Sequence, residues 1–104
     1  MFGFGVKTIT TEQLAEKIAA GKPVLIDVRE PREVATGRIE GSVNIPLGML
    51  PSKIGTLDPH AETLLICHSG NRSATAARLL TRAGFERAYS VTGGMAAWRG
   101  KIVR

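Results

Sequence analysis

The chain has 104 residues, of which 43% are hydrophobic and 22% charged, so we expect one globular domain spanning residues 1–104 and not a disordered segment. No apolar run approaches the ~20 residues that a membrane-spanning helix needs. The net charge of +5 comes entirely from residues 53–104, but the chain has no run of Lys or Arg and only five aromatic residues. This pattern argues against nucleic-acid binding and leaves a small anionic substrate open.

Strand and helix patterns alternate along the first half of the chain. The pair Thr10 and Gln13 forms a capping box that starts a helix, and Gly21 ends it. Residues 24–28 form a short apolar run without alternation, which is typical of a strand covered on both faces of a parallel sheet. A further short helix is predicted from Pro31.

The second half repeats this alternation. Residues 64–67 form a second unalternating apolar run, and a helix is predicted to begin near Ser73 and to end at Gly84. Another short helix is predicted after Gly93 and Gly94, towards Trp98. Three weaker strand patterns lie at residues 6–9, 42–45 and 88–91.

Strands that alternate with helices in one small domain predict an α/β fold, a parallel sheet with helices on both faces. Ligands of such sheets bind beyond the carboxyl ends of the strands. Asp27 and Cys67 both lie at that end of their predicted strands, which is the first indication of a site.

Residues 67–73, Cys-His-Ser-Gly-Asn-Arg-Ser, join a predicted strand to a predicted helix. Gly70 and Asn71 tolerate positive φ, which lets successive backbone N–H groups point at a common centre, and the following helix adds the positive end of its dipole. A cysteine in such a cradle loses its proton readily, and Arg72 is expected to supply a nearby cation. A lone cysteine that ends an apolar strand is more often an inert core residue, but the polar loop after Cys67 favours a nucleophile.

The single cysteine excludes two other common roles of cysteine, disulfide formation and metal binding. One cysteine cannot form an internal disulfide, and with His60 and His68 it gives too few ligands for a zinc or iron–sulfur site, so we expect no metal. The first residues show no basic segment leading into an apolar stretch, so we expect a cytoplasmic protein without a secretory signal.

Three motifs follow one another along nearly the whole chain. They are residues 27–30 (DVRE) with residues 37–47 (GRIEGSVNIPL), residues 67–73 (CHSGNRS) and residues 93–98 (GGMAAW). They resemble, in that order, the first signature, the active-site loop and the closing motif of the rhodanese (thiosulfate sulfurtransferase) family in its small, single-domain form.

The resemblance implies a three-layer fold, a five-stranded parallel sheet with helices on both faces, and a Cys67 thiolate that carries sulfur without a cofactor. Thiosulfate would pass its outer sulfur to Cys67 and leave a persulfide, which cyanide, a thiol or a protein acceptor would then take. The chain has no second cysteine to resolve that persulfide, so the acceptor must come from outside. The binding loop would comprise His68, Ser69, Gly70, Asn71, Arg72 and Ser73.

The chain departs from the family pattern at two positions. His68 stands where many members have arginine, which bears on the preferred donor, and Arg38 stands where histidine is usual, which we expect to affect packing alone. Asp27 and Arg29 are expected to support the site as a structural ion pair.

Several further residues have less specific expectations. Gly93 and Gly94 are expected to allow close backbone approach to the loop, Trp98 to lie in the core and His60 to be exposed. Phe2 and Phe4 would cover the core or form a patch for a partner.

Two alternatives to this enzyme remain open. One is a sulfur-carrier module that serves a dedicated protein partner through the same loop. The other is a cysteine phosphatase or arsenate reductase, which would need arginine six residues after the cysteine. Arg72 is only five residues after Cys67, and residue 73 is serine, so the loop should fit sulfur better than phosphate.

Overall fold

The computed structural model describes residues 6–104 and contains one five-stranded sheet. The five strands are β1 (Lys7–Ile9), β2 (Val24–Asp27), β3 (Val43–Asn44), β4 (Thr63–Ile66) and β5 (Ala88–Val91). All of the neighbouring strands pair in parallel, in the order β1-β5-β4-β2-β3. This arrangement confirms the predicted α/β fold with a five-stranded parallel sheet.

Five helices cover the sheet: α1 (Thr11–Ala20), α2 (Pro31–Val34), α3 (Leu50–Lys53), α4 (Asn71–Arg82) and α5 (Gly94–Ala97). The 3-10 turns Leu47–Met49 and Ile54–Thr56 flank α3. Within residues 6–104, no helix is long and apolar enough to cross a membrane. The capping box predicted for α1 is confirmed, because Gln13 N donates to Thr10 Oγ1 at 3.0 Å and Thr10 N to Gln13 Oε1 at 2.8 Å.

The core has two halves, one on each face of the sheet. Successive residues of the central strand β4 alternate between them, since Leu65 packs on one face and Leu64 and Ile66 on the other. The first face is covered by Leu50 of α3 and by α4, and the second by α1 and by residues of the segment around α5. The expected layering of helices on both faces is therefore confirmed.

The element boundaries differ from the sequence prediction in two informative places. Helix α4 begins at Asn71 and not near Ser73, because Gly70 takes the N-cap position with a φ of 104°. Strand β3 is only two residues long, and as the edge strand it leaves Val43 57% exposed. Phe2 and Phe4 lie outside the described residues.

Candidate active site

The side chain of Cys67 lies at the carboxyl end of the central strand β4, where the loop to α4 begins. Cys67 is buried, whereas His68, Ser69 and Asn71 in the same loop are exposed. Gly70 adopts a left-handed conformation that a residue with a Cβ rarely takes. Among the described residues no non-glycine has positive φ, so Gly70 alone supplies the left-handed conformation in this loop.

The backbone of this loop surrounds the sulfur atom. Gly70 N donates to Cys67 Sγ at 3.1 Å, and Ser73 N donates to it at 3.3 Å. Ser73 belongs to the first turn of α4, whose N–H groups have no partner within the helix and carry the positive end of the helix dipole. The geometry therefore provides the predicted cradle for an anionic sulfur.

A hydroxyl completes the cradle. Ser73 Oγ lies 3.5 Å from Cys67 Sγ, 3.2 Å from the carbonyl oxygen of Gly70 and 2.7 Å from Ser90 Oγ. Both serines are fully buried. The single hydroxyl proton of Ser73 can be donated either to the carbonyl oxygen of Gly70 or to a Cys67 thiolate. When Ser90 donates to Ser73 Oγ and Ser73 donates to the thiolate, two buried hydroxyls stabilise one negative charge.

These contacts decide the ionisation of the cysteine. Burial on its own would raise the pKa of the Cys67 thiol, because a thiolate is poorly solvated there. The hydrogen bonds from the Ser73 side chain and from the backbone of Ser73, Gly70 and Ser69 outweigh burial, and the pKa is lowered from its ordinary value. The site therefore holds the sulfur in its nucleophilic form at a lower pH than a free cysteine.

Removing the Ser73 hydroxyl tests whether its hydrogen bond lowers the pKa of Cys67. Ser73→Ala deletes one hydrogen bond to a charged sulfur, worth about 1.5 kcal/mol, so the acid dissociation constant of Cys67 should fall about 10-fold and its pKa should rise. Ultraviolet absorbance of the thiolate, followed against pH, measures this directly because Cys67 is the only cysteine. Ser69→Ala removes an exposed hydroxyl from the same loop and should leave the titration unchanged. Identical titrations of the two variants would show that the backbone alone stabilises the thiolate.

Two glycines allow the start of the loop to lie against the first turn of α5. Met95 N donates to the carbonyl oxygen of Cys67 at 2.8 Å, and Ala96 N donates to that of His68 at 2.9 Å. A Cβ on Gly94 would lie 2.3 Å from the same Cys67 oxygen, and a Cβ on Gly93 would lie 2.8 Å from the Cβ of Ala97. The geometry agrees with the close backbone approach expected from these glycines.

The guanidinium of Arg72 is engaged with a carboxylate. Arg72 Nη1 donates to Glu33 Oε1 at 2.6 Å and Nη2 to Oε2 at 2.9 Å, a bidentate pair in which each side chain is about one-third exposed. This pairing lowers the pKa of Glu33 to about 2 and raises the pKa of Arg72. The guanidinium thus joins the loop to α2, whereas the causes that lower the pKa of Cys67 are the hydrogen bonds described above.

Asp27 and Arg29 form a second ion pair beside the site, almost completely buried. Arg29 Nη2 donates to Asp27 Oδ2 at 2.7 Å and to the carbonyl oxygen of Gly37 at 2.8 Å, while Nη1 donates to that of Glu33 at 3.3 Å. Asn44 Nδ2 donates to the carbonyl oxygens of Asp27 and Arg29, both at 2.9 Å. Arg29 therefore fixes the position of Glu33, which in turn holds Arg72.

The remaining singled-out residues lie around this centre. His68 and His60 have exposed side chains, and Trp98 is only partly buried against the core, with Nε1 donating to the carbonyl oxygen of Lys101 at 3.2 Å. Arg38 forms an isolated antiparallel bridge with Val103. Within residues 6–104, no three acidic, histidine or cysteine side chains gather as a metal site.

Sequence reasoning missed three residues of this centre. Glu33 lies far along the chain from its partner Arg72, and Asn44 lies far from its partner Asp27. No local pattern in the sequence indicates either contact. The sequence did contain a signal for Ser90. Its strand is otherwise made of apolar residues and one tyrosine, and a buried hydroxyl there needs a polar partner.

Comparison of the sequence with known proteins shows the family of this chain. The family described as "Rhodanese-like domain" matches residues 10–101. The chain is 45% identical over 97 residues to a putative sulfurtransferase, YtwF, from Bacillus subtilis, covering 92% of this chain and 93% of that one. It is 37% identical over 93 residues to the thiosulfate sulfurtransferase GlpE from Pseudomonas entomophila, covering 89% and 84% of the two chains.

A solved structure gives the same result. The crystal structure of a rhodanese-like domain protein from Staphylococcus aureus matches with a TM-score of 0.85 and 34% identity, covering 92% of this chain and 94% of that one. The family assignment rests on most of the chain in sequence and in structure, and it agrees with the three motifs that carried the resemblance. The chain belongs to the rhodanese-like domain family.

Proposed function

We propose that the protein is a sulfurtransferase that carries a sulfane sulfur on Cys67. The observation that supports this most directly is the convergence of Gly70 N, Ser73 N and Ser73 Oγ on Sγ. The cradle stabilises a thiolate before transfer and the anionic terminal sulfur of a persulfide after it, with no general base required. Relatives named as sulfurtransferases are consistent with this chemistry.

The first half-reaction with thiosulfate conserves atoms and charge. The Cys67 thiolate attacks the outer sulfur, a new S–S bond forms, and the electron pair of the donor's S–S bond leaves with sulfite. Cys67 is then a persulfide anion. Because Cys67 is buried, we propose that the exposed residues of the loop move aside to admit the donor.

The second half-reaction hands this sulfur to an external thiophile. The chain has one cysteine, so its persulfide cannot be reduced by a neighbouring thiol of the same chain. Cyanide, a small thiol or a protein acceptor attacks the terminal sulfur, and the electron pair of the S–S bond returns to Sγ as the thiolate. A sulfur-carrier role with a dedicated protein partner uses the same steps and differs only in the acceptor.

The phosphatase or arsenate reductase alternative is disfavoured by the pairing of Arg72. Such an enzyme needs a guanidinium free to bind the oxygens of a tetrahedral oxyanion. In this loop both terminal nitrogens of Arg72 donate to Glu33. The backbone cradle centred on Sγ instead suits a single added sulfur atom.

Intact-mass spectrometry tests the proposal. After incubation with thiosulfate, the mass of the protein should rise by one sulfur atom, and cyanide or dithiothreitol should reverse the change. Cys67→Ser should abolish the adduct completely and leave the fold intact, because the substitution is nearly isosteric. An equal adduct on the serine variant, or none on the wild type with any sulfane donor, contradicts the proposed function.

A further inference from the structure

Two arginines beside the loop are each paired with a carboxylate. Arg72 is paired with Glu33 at 2.6 and 2.9 Å, and Arg29 is paired with the buried Asp27 at 2.7 Å. His68 stands where the resemblance led us to expect arginine in many members. The attraction of the loop for an anion therefore comes from backbone N–H groups and from the dipole of α4, with little net charge from these side chains.

Glu33 is held in place through both its carboxylate and its backbone carbonyl oxygen. Glu30 N donates to Glu33 Oε1 at 2.9 Å, and the carbonyl oxygen of Glu33 accepts from Arg29 at 3.3 Å and from Thr36 Oγ1 at 2.6 Å. The low pKa of Glu33, about 2, keeps the carboxylate ionised throughout the physiological range. Arg72 is therefore masked whenever the protein is folded near neutral pH.

We propose that Glu33 is a specificity-determining residue: by masking Arg72 it biases the Cys67 loop against the dianion thiosulfate and towards organic persulfides as sulfur donors. An organic persulfide, R–S–SH or its anion, carries at most one negative charge on its reacting sulfurs. A loop whose side chains supply little net positive charge gains less from the second charge of thiosulfate. This inference rests on the proposed function, because it names the donor class for the same site.

Sulfur transfer from an organic persulfide balances without a further reagent. The Cys67 thiolate attacks the outer sulfur of R–S–SH, the new Cys67 S–S bond forms, and the donor's S–S bond breaks. The electron pair of that bond leaves with R–S⁻, and the proton stays on the transferred sulfur as Cys67–S–SH. The loop cradle stabilises the anion of this product as it does after thiosulfate.

The test compares two donors on the same protein. The value of kcat/KM is measured with thiosulfate and with cysteine persulfide, and the ratio of the first to the second is the readout. Glu33→Gln removes one negative charge and keeps an oxygen that can accept from Glu30 N. The ratio should rise about 3- to 10-fold, the effect of one unmasked charge on one additional unit of donor charge at a dielectric near that of bulk water.

The chain offers a matched control in the Lys17–Glu62 ion pair. Lys17 Nζ lies 3.0 Å from Glu62 Oε1, with side chains 35% and 30% exposed, against 35% and 31% for Arg72 and Glu33. Glu62 precedes the amino end of β4, roughly 16 Å along the strand from Cys67. Glu62→Gln changes the net charge equally and should leave the donor ratio unchanged.

Two more variants separate charge from position. Glu33→Asp keeps the carboxylate and should retain the wild-type ratio, whereas Arg72→Gln leaves the carboxylate uncovered and should lower the ratio below that of the wild type. If Glu33→Gln does not fold, the donor ratio of Arg72→Gln tests the proposal in its place. The proposal is overturned by an unchanged ratio in Glu33→Gln or Arg72→Gln, by an equal change in Glu62→Gln, or by an equal rise in Glu33→Asp. Failure of both donors to add sulfur to Cys67 would instead contradict the proposed function.

Discussion

Arg29→Met should lower the free energy of unfolding by about 3–5 kcal/mol, the typical cost of removing one partner from a buried ion pair. Asp27 is 1% exposed and would keep its carboxylate in the core without a guanidinium beside it. The substitution also leaves the carbonyl oxygen of Gly37 without its donor at 2.8 Å. Equilibrium unfolding in urea measures the loss.

Two variants control this experiment. Arg82→Met makes the same change at an exposed position near the end of α4 and should alter stability by no more than about 0.5 kcal/mol. The double variant Asp27→Asn with Arg29→Met should lose less stability than the sum of the single losses, because it contains no unpaired buried charge. A loss from Arg29→Met as small as that from Arg82→Met would show that the buried pair contributes little.

Local signals in the sequence were sufficient for the sheet and for most of the cysteine loop. The unalternating runs at residues 24–28 and 64–67 largely coincide with β2 and β4, two inner strands of the sheet. Thr10 and Gln13 start α1 through contacts three residues apart, which any reading of the chain can find. Such features are predictable because their cause lies within one or two turns of backbone.

The electrostatics of the site were not predictable in the same way. Arg72 and Glu33 are 39 residues apart in sequence, and only the docking of α2 against the loop brings them together. The same holds for Ser73 and Ser90, which lie 17 residues apart and meet at 2.7 Å. The sequence contains several carboxylates that could pair with an arginine in this loop. Tertiary structure, and not a local sequence pattern, determines which of them does.

Gly94→Ala is expected to have the largest effect on activity of any substitution outside the Cys67 loop. The new Cβ would lie 2.3 Å from the carbonyl oxygen of Cys67 and 2.7 Å from that of His68, and both are backbone atoms that cannot rotate away. Gly94 also has a φ of 55°, where alanine is strained by about 1–2 kcal/mol. The backbone of Cys67 must therefore shift.

This shift should break the two hydrogen bonds that hold the loop, from Met95 N to Cys67 and from Ala96 N to His68. With about 1 kcal/mol for each bond added to the strain, we expect a loss of about 3–4 kcal/mol in stability. Sγ would also leave the line of Gly70 N and Ser73 N, so the rate of sulfur loading should fall more than about 10-fold and the pKa of Cys67 should rise.

Gly55→Ala is the matched control for this substitution. A Cβ on Gly55 has nothing within 4 Å, and its φ is not in the left-handed region, so the variant should load sulfur at the wild-type rate. Intact mass against time after addition of thiosulfate gives the loading rate for both variants, and thiolate absorbance gives the titration. Loading by Gly94→Ala at the rate of Gly55→Ala would mean that the loop tolerates a displaced Cys67 carbonyl. The alignment of Sγ with the backbone N–H groups would then not be what limits transfer.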